Sequence, residues 1–344
     1  MLKFFALFVL VWQCLSVQAF KNPIKSSDGS DPFIRRILLH VFYPLLLLVR
    51  SDLAADLTTT TWTDIQITRG TTMQELKDAT PKVVWSDSTS SRCCNVWAPE
   101  IWWYATESSW FIYYTAGVSG TFDDQYLHVL KGSSTNIWDS EWSYEGRISI
   151  PNRDYWSIDG TLLFYGSATY LVYSAWDGAY QCLFIAQMTS SSTVGDAVKI
   201  STPTYDWEMV GANVNEGPGK LTFSALYHGG RTFLTFSASN CAGTGYELGR
   251  LELTGTNPLS ASSWTKYSEP IFTSANGNYE PGHNGFFTSE DGTETWMVYH
   301  ASSASPGTCD GARYTMVQSI SWNSDGTPNL GSPVSESTSL SEPA

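Results

Sequence analysis

The sequence of 344 residues predicts an all-β fold, a five-bladed β-propeller. Three observations lead to this prediction. Short apolar stretches with a common ending recur along the chain, a turn with one ionisable side chain precedes each of them, and helical periodicity is nearly absent. Four of these turns follow one another at intervals of about 57–67 residues, which is the length that a four-stranded blade with its loops requires.

The recurring stretches are rich in aromatic and β-branched residues and are bounded by Gly, Asp or Ser, as buried strands are. In chain order they are WFIYYTA (110–116), YLVYSA (170–175), TFLTFSA (232–238) and TWMVYHA (295–301). Counting back by one period places a first turn at Asp31, and the strand paired with this turn is predicted at LTTTTW (57–62). A helix of one or two turns is predicted only at TTMQELKDA (71–79).

The turns supply one ionisable residue for each blade: Asp31, Glu100, Asp159, Glu216 and His283. In a propeller the innermost strand of each blade lines the central channel, so these side chains are expected to converge on the axis. A single acid in a turn is usually a cap or a solvated charge. Burying several acids near one axis is costly unless they have a task, so their recurrence favours a functional site.

Composition narrows the class of function. The formal net charge is −14, and the 19 Lys and Arg residues are scattered, so no nucleic-acid partner is expected. Aromatic residues make up 14% of the chain, with 15 Trp, while charged residues make up only 15%. Low charge with abundant Trp, Thr, Ser and Gly is typical of secreted β proteins that handle sugars.

The ends of the chain predict secretion. Residues 1–19 have a Lys, an apolar run and small residues, as a signal peptide has, which predicts an extracellular protein. The propeller domain is assigned to 20–334, and the Ser-rich stretch 335–344 is expected to be a frayed tail or the start of a linker. The apolar run 37–49 is too short for the roughly 20 residues of a membrane-spanning helix, so no membrane partner is expected.

Five cysteines remain once the signal peptide is removed, so at least one thiol is free or pairs outside the chain. The adjacent Cys93 and Cys94 could pair, and so could Cys241 and Cys309. The sequence leaves the connectivity open.

Glycosidic bond cleavage requires two carboxylates that face each other across a sugar, one protonated and one ionised. The acids named above supply such candidates. The chain also resembles glycoside hydrolase family 43, whose members are five-bladed propellers that hydrolyse arabinose- and xylose-containing plant polysaccharides. The resemblance is carried, in order, by NPI…SDPF (22–33), CCNVWAPEI (93–101), WSIDGTLL (156–163), PTYDWE…VNEGPGKL (203–221), NGNYEPGHNGFF (276–287), RYTMVQ (313–318) and WNSDGTPNLGSPV (322–334).

The resemblance implies three catalytic residues: Asp31 as the general base, Glu216 as the general acid, and Asp159 as a third acid. Asp159 would hold Glu216 in place and raise its pKa, because a carboxyl group near another carboxylate resists ionisation. Asp31 would activate a water on the opposite side of the sugar. Members of the family invert the anomeric centre, which implies a base–acid separation of roughly 6.5–9.5 Å.

Other positions follow from the resemblance as well. It places His283 near a structural Ca²⁺ in the channel, although a neutral His bonded to the backbone is the alternative, and no cofactor is required for the chemistry. Arg313 corresponds to an Arg of the pocket wall. Glu100, one of the acids of the repeat, is a further candidate for binding the substrate. Trp62 and Trp97 are candidates for stacking on a sugar face, with core packing as the alternative.

Within the family the motifs are most similar to those of exo-acting α-1,5-L-arabinofuranosidases. The expected substrate is therefore plant cell-wall arabinan or an arabinose-containing oligosaccharide, and a monomer is expected. An endo-arabinanase and a β-xylosidase remain as alternatives, because the depth of the pocket decides between them. A catalytically silent, sugar-binding propeller is the alternative from another class.

The Leu-rich segment 35–56 departs from the repeat. It makes the distance from Asp31 to the first predicted strand longer than the corresponding distance in the other blades. An exposed Leu-rich loop would invite aggregation, so the segment is interpreted as an error of the gene model, with a genuine insertion as the alternative. A transcript that encodes all of these residues would contradict the first interpretation.

Overall fold

The computed structural model of the chain describes residues 19–41, 50–211 and 223–344. Within these residues nearly all regular structure is β, and five antiparallel sheets form the blades of a β-propeller, which confirms the predicted fold. Most of the predicted signal peptide, 1–18, and the predicted acid Glu216 lie outside the described residues. None of the helices in these ranges has the length and apolarity that crossing a membrane would require.

The strands follow one another through the described ranges in chain order. They are β1 (Ala19–Lys21), β2 (Phe33–Val41), β3 (Arg50–Thr58), β4 (Asp64–Gly70), β5 (Lys82–Ser86), β6 (Cys94–Tyr104), β7 (Ser109–Gly117), β8 (Tyr126–Gly132), β9 (Trp142–Arg147), β10 (Ser157–Tyr165), β11 (Ala168–Asp177), β12 (Tyr180–Met188), β13 (Val194–Ser201), β14 (Phe223–His228), β15 (Arg231–Ala238), β16 (Glu247–Leu253), β17 (Trp264–Lys266), β18 (Tyr279–Thr288), β19 (Thr295–Ser302), β20 (Tyr314–Ser319), β21 (Ser321–Trp322), β22 (Pro328–Asn329) and β23 (Ser339–Ser341). Blades 1 to 4 are β2–β5, β6–β9, β10–β13 and β14–β17, and blade 5 is β18–β20 among the described residues.

Helices are few and short in the described residues. The predicted helix is confirmed as α1 (Met73–Asp78), which Thr72 caps by accepting a hydrogen bond from the backbone N–H of Glu75 at 3.0 Å. Two 3₁₀ helices, Asp206–Met209 and Ala261–Ser263, lie in connections.

The second strand of a blade is buried on both faces, which explains its continuous apolar sequence. In β7, Phe111 and Tyr113 belong to the hydrophobic cluster between blades 2 and 3, while Ile112 and Tyr114 belong to the cluster between blades 1 and 2. Successive side chains of a strand point to opposite faces, so the residues of β7 pack alternately against the preceding blade and the following blade. Three further clusters join the other neighbouring blades in the same way.

The ring is closed by the first described residues, which attach to blade 5. The Asn22 side chain donates to the carbonyl oxygen of Val317 at 2.7 Å and accepts from the backbone N–H of Val317 at 2.9 Å. Strand β1 also pairs with β23, with Ala19 opposite Ser341. The stretch 335–344, predicted as a frayed tail or a linker, therefore contributes a strand that pairs close to this junction.

Blade 1 includes both ends of the Leu-rich segment. Strands β2 and β3 pair without a register shift from Phe33 opposite Thr58 to Val41 opposite Arg50. The strand predicted at 57–62 was wrong in position, since β3 ends at Thr58. Thr58 and Thr60 are buried and form hydrogen bonds: Thr58 Oγ1 donates to the carbonyl oxygen of Pro99, and Thr60 Oγ1 donates to the Asp31 carboxylate.

Both candidate cysteine pairs are disulfides in the structure, Cys93–Cys94 and Cys241–Cys309. Among the described residues Cys182 is the free cysteine, and it is buried. The odd number of cysteines in the predicted mature chain is thereby accounted for.

A buried ion pair makes the folding of blade 1 testable. The Asp56 side chain is fully buried and accepts two hydrogen bonds from the Arg69 guanidinium, at 2.6 and 2.7 Å. Replacing Arg69 by Met would leave a buried carboxylate without its cation. We therefore expect the free energy of unfolding, measured by urea titration, to fall by about 3–5 kcal/mol.

The control is Lys199→Met, which breaks the ion pair with Asp177, in which the two side chains are 41% and 42% exposed. This exposed pair is expected to contribute less than about 1 kcal/mol. Equal and small losses in the two variants would contradict the buried pairing in blade 1.

Candidate active site

The innermost strands of several blades pair irregularly with their neighbours close to the central axis of the propeller, which we call the hub. A β-bulge bends a strand and redirects its side chains. The sequence placed Glu100, Asp159 and His283 in turns, and this was wrong, because all three lie within strands. The Gly and Pro residues that indicated turns belong to strands with register shifts, which fall at Trp97–Glu100 in β6, Ile158–Thr161 in β10 and Gly282–Gly285 in β18.

Each of these irregularities contains a residue with left-handed backbone conformation. The φ angles are 48° at Ala98, 55° at Asp159 and 42° at His283, and Asp31, just before β2, has a φ of 53°. Such a conformation costs a residue other than Gly about 1–3 kcal/mol, so it persists only where the surroundings hold it.

The surroundings do hold it, because the backbone N–H of each of these residues donates to a side chain of a neighbouring blade. The bonds are Asp31 to His300 Nδ1 (3.1 Å), Ala98 to Thr60 Oγ1 (2.9 Å), Asp159 to Thr115 Oγ1 (3.0 Å) and His283 to Ser237 Oγ (2.8 Å). Thr115, Ser237 and His300 each precede the final Ala of a recurring stretch in the sequence. The polar residue in the common ending therefore accepts a hydrogen bond from a backbone N–H near the hub and holds that backbone in place.

The Asp31 carboxylate is held from two sides. Thr60 Oγ1 donates to Oδ2 at 2.6 Å, and His283 Nδ1 forms an ion pair with Oδ1 at 2.9 Å. Burial alone would raise the pKa of Asp31, but the positive charge of His283 outweighs it and holds that pKa well below its ordinary value. Burial likewise opposes charge on His283, yet Asp31 raises the pKa of that imidazole above its ordinary value.

His300 is the neutral histidine of the hub. Its Nδ1 accepts the Asp31 backbone N–H, so this nitrogen carries no proton and cannot donate to Asp31 Oδ1, 3.5 Å away. Burial, assisted by the positive charge of Arg313, lowers the pKa of His300 to about 3. The two histidines therefore differ in role: His283 supplies charge, and His300 fixes the backbone of Asp31.

A small pocket opens at the hub and brings several of the predicted site residues together. Its wall includes Asp31, Asp159, Trp62, Trp97, Tyr246 and Arg313. Glu100 and His283 are not among the described residues of this wall, and Glu216 cannot be placed because it lies outside the described residues.

Arg313 and Tyr246 form the part of the wall contributed by blades 4 and 5. Arg313 is buried, donates to the carbonyl oxygen of Cys241 at 2.7 Å and lies 5.3 Å from the centre of the Tyr246 ring. The Tyr246 ring stacks on His300, with 5.7 Å between the centroids and 9° between the planes. A Cβ atom at Gly282 would lie 2.0 Å from the Tyr246 ring, so this close approach requires glycine.

Glu100 is buried and accepts a hydrogen bond from Trp102 Nε1 at 2.8 Å. Burial raises its pKa to about 7, although hydrogen bonds from Thr161 and Trp102 act in the opposite direction. The charges of His283 and Asp159 also act on this carboxyl group. Glu100 is therefore an uncommonly basic carboxylate close to the hub.

The described donors do not by themselves make a calcium site. In the described ranges no group of three or more His, Cys, Asp or Glu side chains could hold a metal ion. Ca²⁺ takes six to eight oxygen ligands, whereas the side chain of His283 offers only nitrogen. We therefore derive no catalytic step from a metal.

Sequence reasoning missed Thr60, Tyr246 and His300 as residues of the site. Thr60 lies in TTTTW and His300 in the last recurring stretch, so a signal for both existed in the repeat. We find no sequence signal for Tyr246.

The chain is similar to curated proteins that are named arabinofuranosidases. It is 36% identical over 285 residues to an extracellular exo-α-(1→5)-L-arabinofuranosidase of Streptomyces avermitilis, which covers 79% of this chain and 57% of that protein. It is also 36% identical over 284 residues to α-L-arabinofuranosidase 43 of Humicola insolens, covering 78% and 57% of the two chains. The chain thus spans a little over half the length of these curated relatives.

Solved structures show the same fold. The crystal structure of an α-L-arabinofuranosidase from Lactobacillus brevis matches with a TM-score of 0.79 and 27% sequence identity, over 93% of this chain and 98% of that one. A thermostable family-43 glycoside hydrolase matches with a TM-score of 0.71 and 19% identity, over 94% and 99% of the two chains, and shows the fold alone. The profile of the family described as Glycosyl hydrolases family 43 matches residues 20–328, and the chain belongs to that family.

Proposed function

We propose that the chain is an extracellular, exo-acting α-L-arabinofuranosidase that removes single arabinofuranosyl units from arabinan and arabino-oligosaccharides. The observation that carries this proposal is one small hub pocket with two carboxylates, Asp31 and Asp159, and two indoles, Trp62 and Trp97, in its wall. A small pocket, as opposed to an open cleft, favours release of single units. The names of the 36%-identical relatives support arabinose as that sugar.

In the proposed mechanism Asp31 is the general base of a single-step, inverting hydrolysis. Its low pKa keeps it ionised, and the contacts with Thr60 and His283 fix both of its oxygens while lone pairs remain for a water. His283 therefore serves as a positioning residue for the base in this proposal.

Glu216 is the proposed general acid, and Asp159 the carboxylate that raises its pKa. Arg313, which is always charged, would bind a sugar hydroxyl at the pocket wall. Glu100 would act on the pocket through its charge near His283 and Asp159. We further propose that the protein works as a monomer and needs no cofactor for the chemistry.

The test is a product analysis with α-1,5-linked arabino-oligosaccharides, debranched arabinan and xylo-oligosaccharides. We expect arabinose as the first product, released as the β anomer in NMR spectra recorded before mutarotation, since inversion of an α linkage gives β. Oligosaccharide products from debranched arabinan would indicate an endo-arabinanase, and xylose release a β-xylosidase. Initial release of the α anomer would contradict the single-step mechanism, and binding without hydrolysis would indicate a silent sugar-binding propeller.

A further inference from the structure

Aromatic side chains extend from the pocket wall across neighbouring loops of blades 1 to 3. We call this set the aromatic ridge; it consists of Trp62, Trp97, Phe122, Trp156 and Trp176. Phe122 lies 6.3 Å from Trp62 and 5.4 Å from Trp97 between ring centroids, and Trp62 lies 5.5 Å from Trp97. Trp156 Nε1 donates to the carbonyl oxygen of Phe122 at 2.6 Å, and its ring lies 5.5 Å from that of Trp176.

The outer members of the ridge are accessible, unlike the aromatic residues of the inter-blade clusters. The Phe122 side chain is 56% exposed, and Trp156 and Trp176 are half-buried. Folding ordinarily covers rings of this size, and adjacent exposed rings on a secreted protein mark a binding surface.

Backbone strain at Trp62 supports the same interpretation. Its φ is +74°, a conformation that is a genuine outlier for a bulky residue. Two backbone hydrogen bonds with Val96, at 3.2 and 3.1 Å, hold it there. The fold thus stabilises a strained backbone at the point where the ridge meets the pocket, which is characteristic of functional sites.

We propose that the aromatic ridge binds the arabinofuranose units that follow the one held in the pocket, so that it selects long linear chains over short ones. This inference rests on the proposed function, because it assumes that the pocket holds the terminal arabinose. Trp62 and Trp97 belong to both the pocket wall and the ridge, so a chain that leaves the pocket continues directly onto Phe122.

The chemistry of the ridge fits a neutral, polyhydroxylated chain. Rings that are apolar on their faces suit the C–H faces of sugars, and the loop with Phe122 also carries Asp123 and Asp124, whose carboxylates accept hydrogen bonds from hydroxyl groups. The same carboxylates would repel an anionic ligand such as an acidic polysaccharide.

The experiment compares Trp176→Ala and Phe122→Ala with the wild type. We measure the ratio of kcat/KM for linear arabinohexaose to kcat/KM for arabinobiose, because only the longer substrate reaches the outer ridge. Loss of one ring contact is expected to lower this ratio by about 3- to 10-fold in each variant. Phe122 is highly exposed, so its variant keeps the test valid if the half-buried Trp176 proves necessary for folding.

The matched control is Tyr180→Ala. Tyr180 is 41% exposed and lies in the same β11–β12 hairpin as Trp176, but it pairs with Asp177 and so points to the opposite face of the blade. The Tyr180→Ala variant should have the same ratio of kcat/KM for arabinohexaose to kcat/KM for arabinobiose as the wild type. An unchanged ratio in both ridge variants, or an equal fall in the control, would overturn the inference.

A binding measurement separates this inference from the proposed function. In an Asp31→Asn background, electrophoretic mobility is recorded in gels that contain debranched arabinan. If debranched arabinan retards the protein and the ridge variants are retarded less, the ridge binds the polysaccharide, even if the wild type proves not to release arabinose. Retardation that the ridge variants leave intact, or no retardation at all, overturns it.

Discussion

Replacing Asp31 by Asn is expected to lower kcat for arabino-oligosaccharides by about 10²–10⁴-fold, the usual contribution of a general base. An amide cannot take the proton of the attacking water, whereas its oxygen can still accept the hydrogen bond from Thr60. Asn also tolerates the left-handed backbone at this position, so the variant is expected to fold. Rates on arabinotriose and on an aryl arabinofuranoside are to be measured, and both should fall.

The control is Asp291→Asn, at a turn where the carboxylate accepts hydrogen bonds from Ser289 and Thr293. Because this turn belongs to the far ends of β18 and β19, kcat should stay within about twofold of the wild type. If Asp31→Asn retained more than a tenth of the wild-type rate with an unchanged fold, another group would have to be the base.

The second large effect is expected for Glu216→Gln, and it should depend on the leaving group. With arabino-oligosaccharides the departing alkoxide needs a proton, so kcat should fall by about 10²–10⁴-fold. With an aryl arabinofuranoside whose phenolate leaves without protonation, the loss should be much smaller. A loss that depends on the leaving group distinguishes an acid from a base, because Asp31→Asn impairs both substrates.

Glu252→Gln provides the comparison for this variant. Glu252 accepts two hydrogen bonds from Arg231 at 2.8 and 2.7 Å, and a glutamine there should leave both substrates hydrolysed at nearly the wild-type rate. Equal losses on the two substrates in Glu216→Gln would show that Glu216 does not protonate the leaving group.

The period of the sequence was sufficient to predict the propeller, because each second strand is buried on both faces and therefore reads as a continuous apolar run. It also predicted that Asp31 and Asp159 meet in one pocket. The polar residue before the final Ala, such as Thr115 or His300, was visible in the repeat, but the hydrogen-bond donor that it accepts from was not. That partner is a backbone N–H, and a sequence pattern of side chains gives no signal for it.

The irregular pairing of the innermost strands could not be predicted for a related reason. Asp31, Ala98, Asp159 and His283 are among the residues with positive φ, and none of them is glycine, the residue that indicates such a conformation in a sequence. Their backbone is held by the neighbouring blade and not by local preference. Blade 1 was predicted poorly because the Leu-rich residues disrupt the repeat that guided the other assignments.

The hydrogen bond from the Asp31 backbone to His300 has a consequence for the order in which a ribosome makes this protein. The two residues are 269 positions apart, and His283, the charged partner of Asp31, is also translated long after Asp31. Chains generally begin to fold from the amino terminus as they emerge. The residue proposed as the base precedes all five blades in the chain, yet its surroundings are completed only when the fifth blade has been translated. The proposed activity should therefore be absent from a nascent chain until the fifth blade has been made.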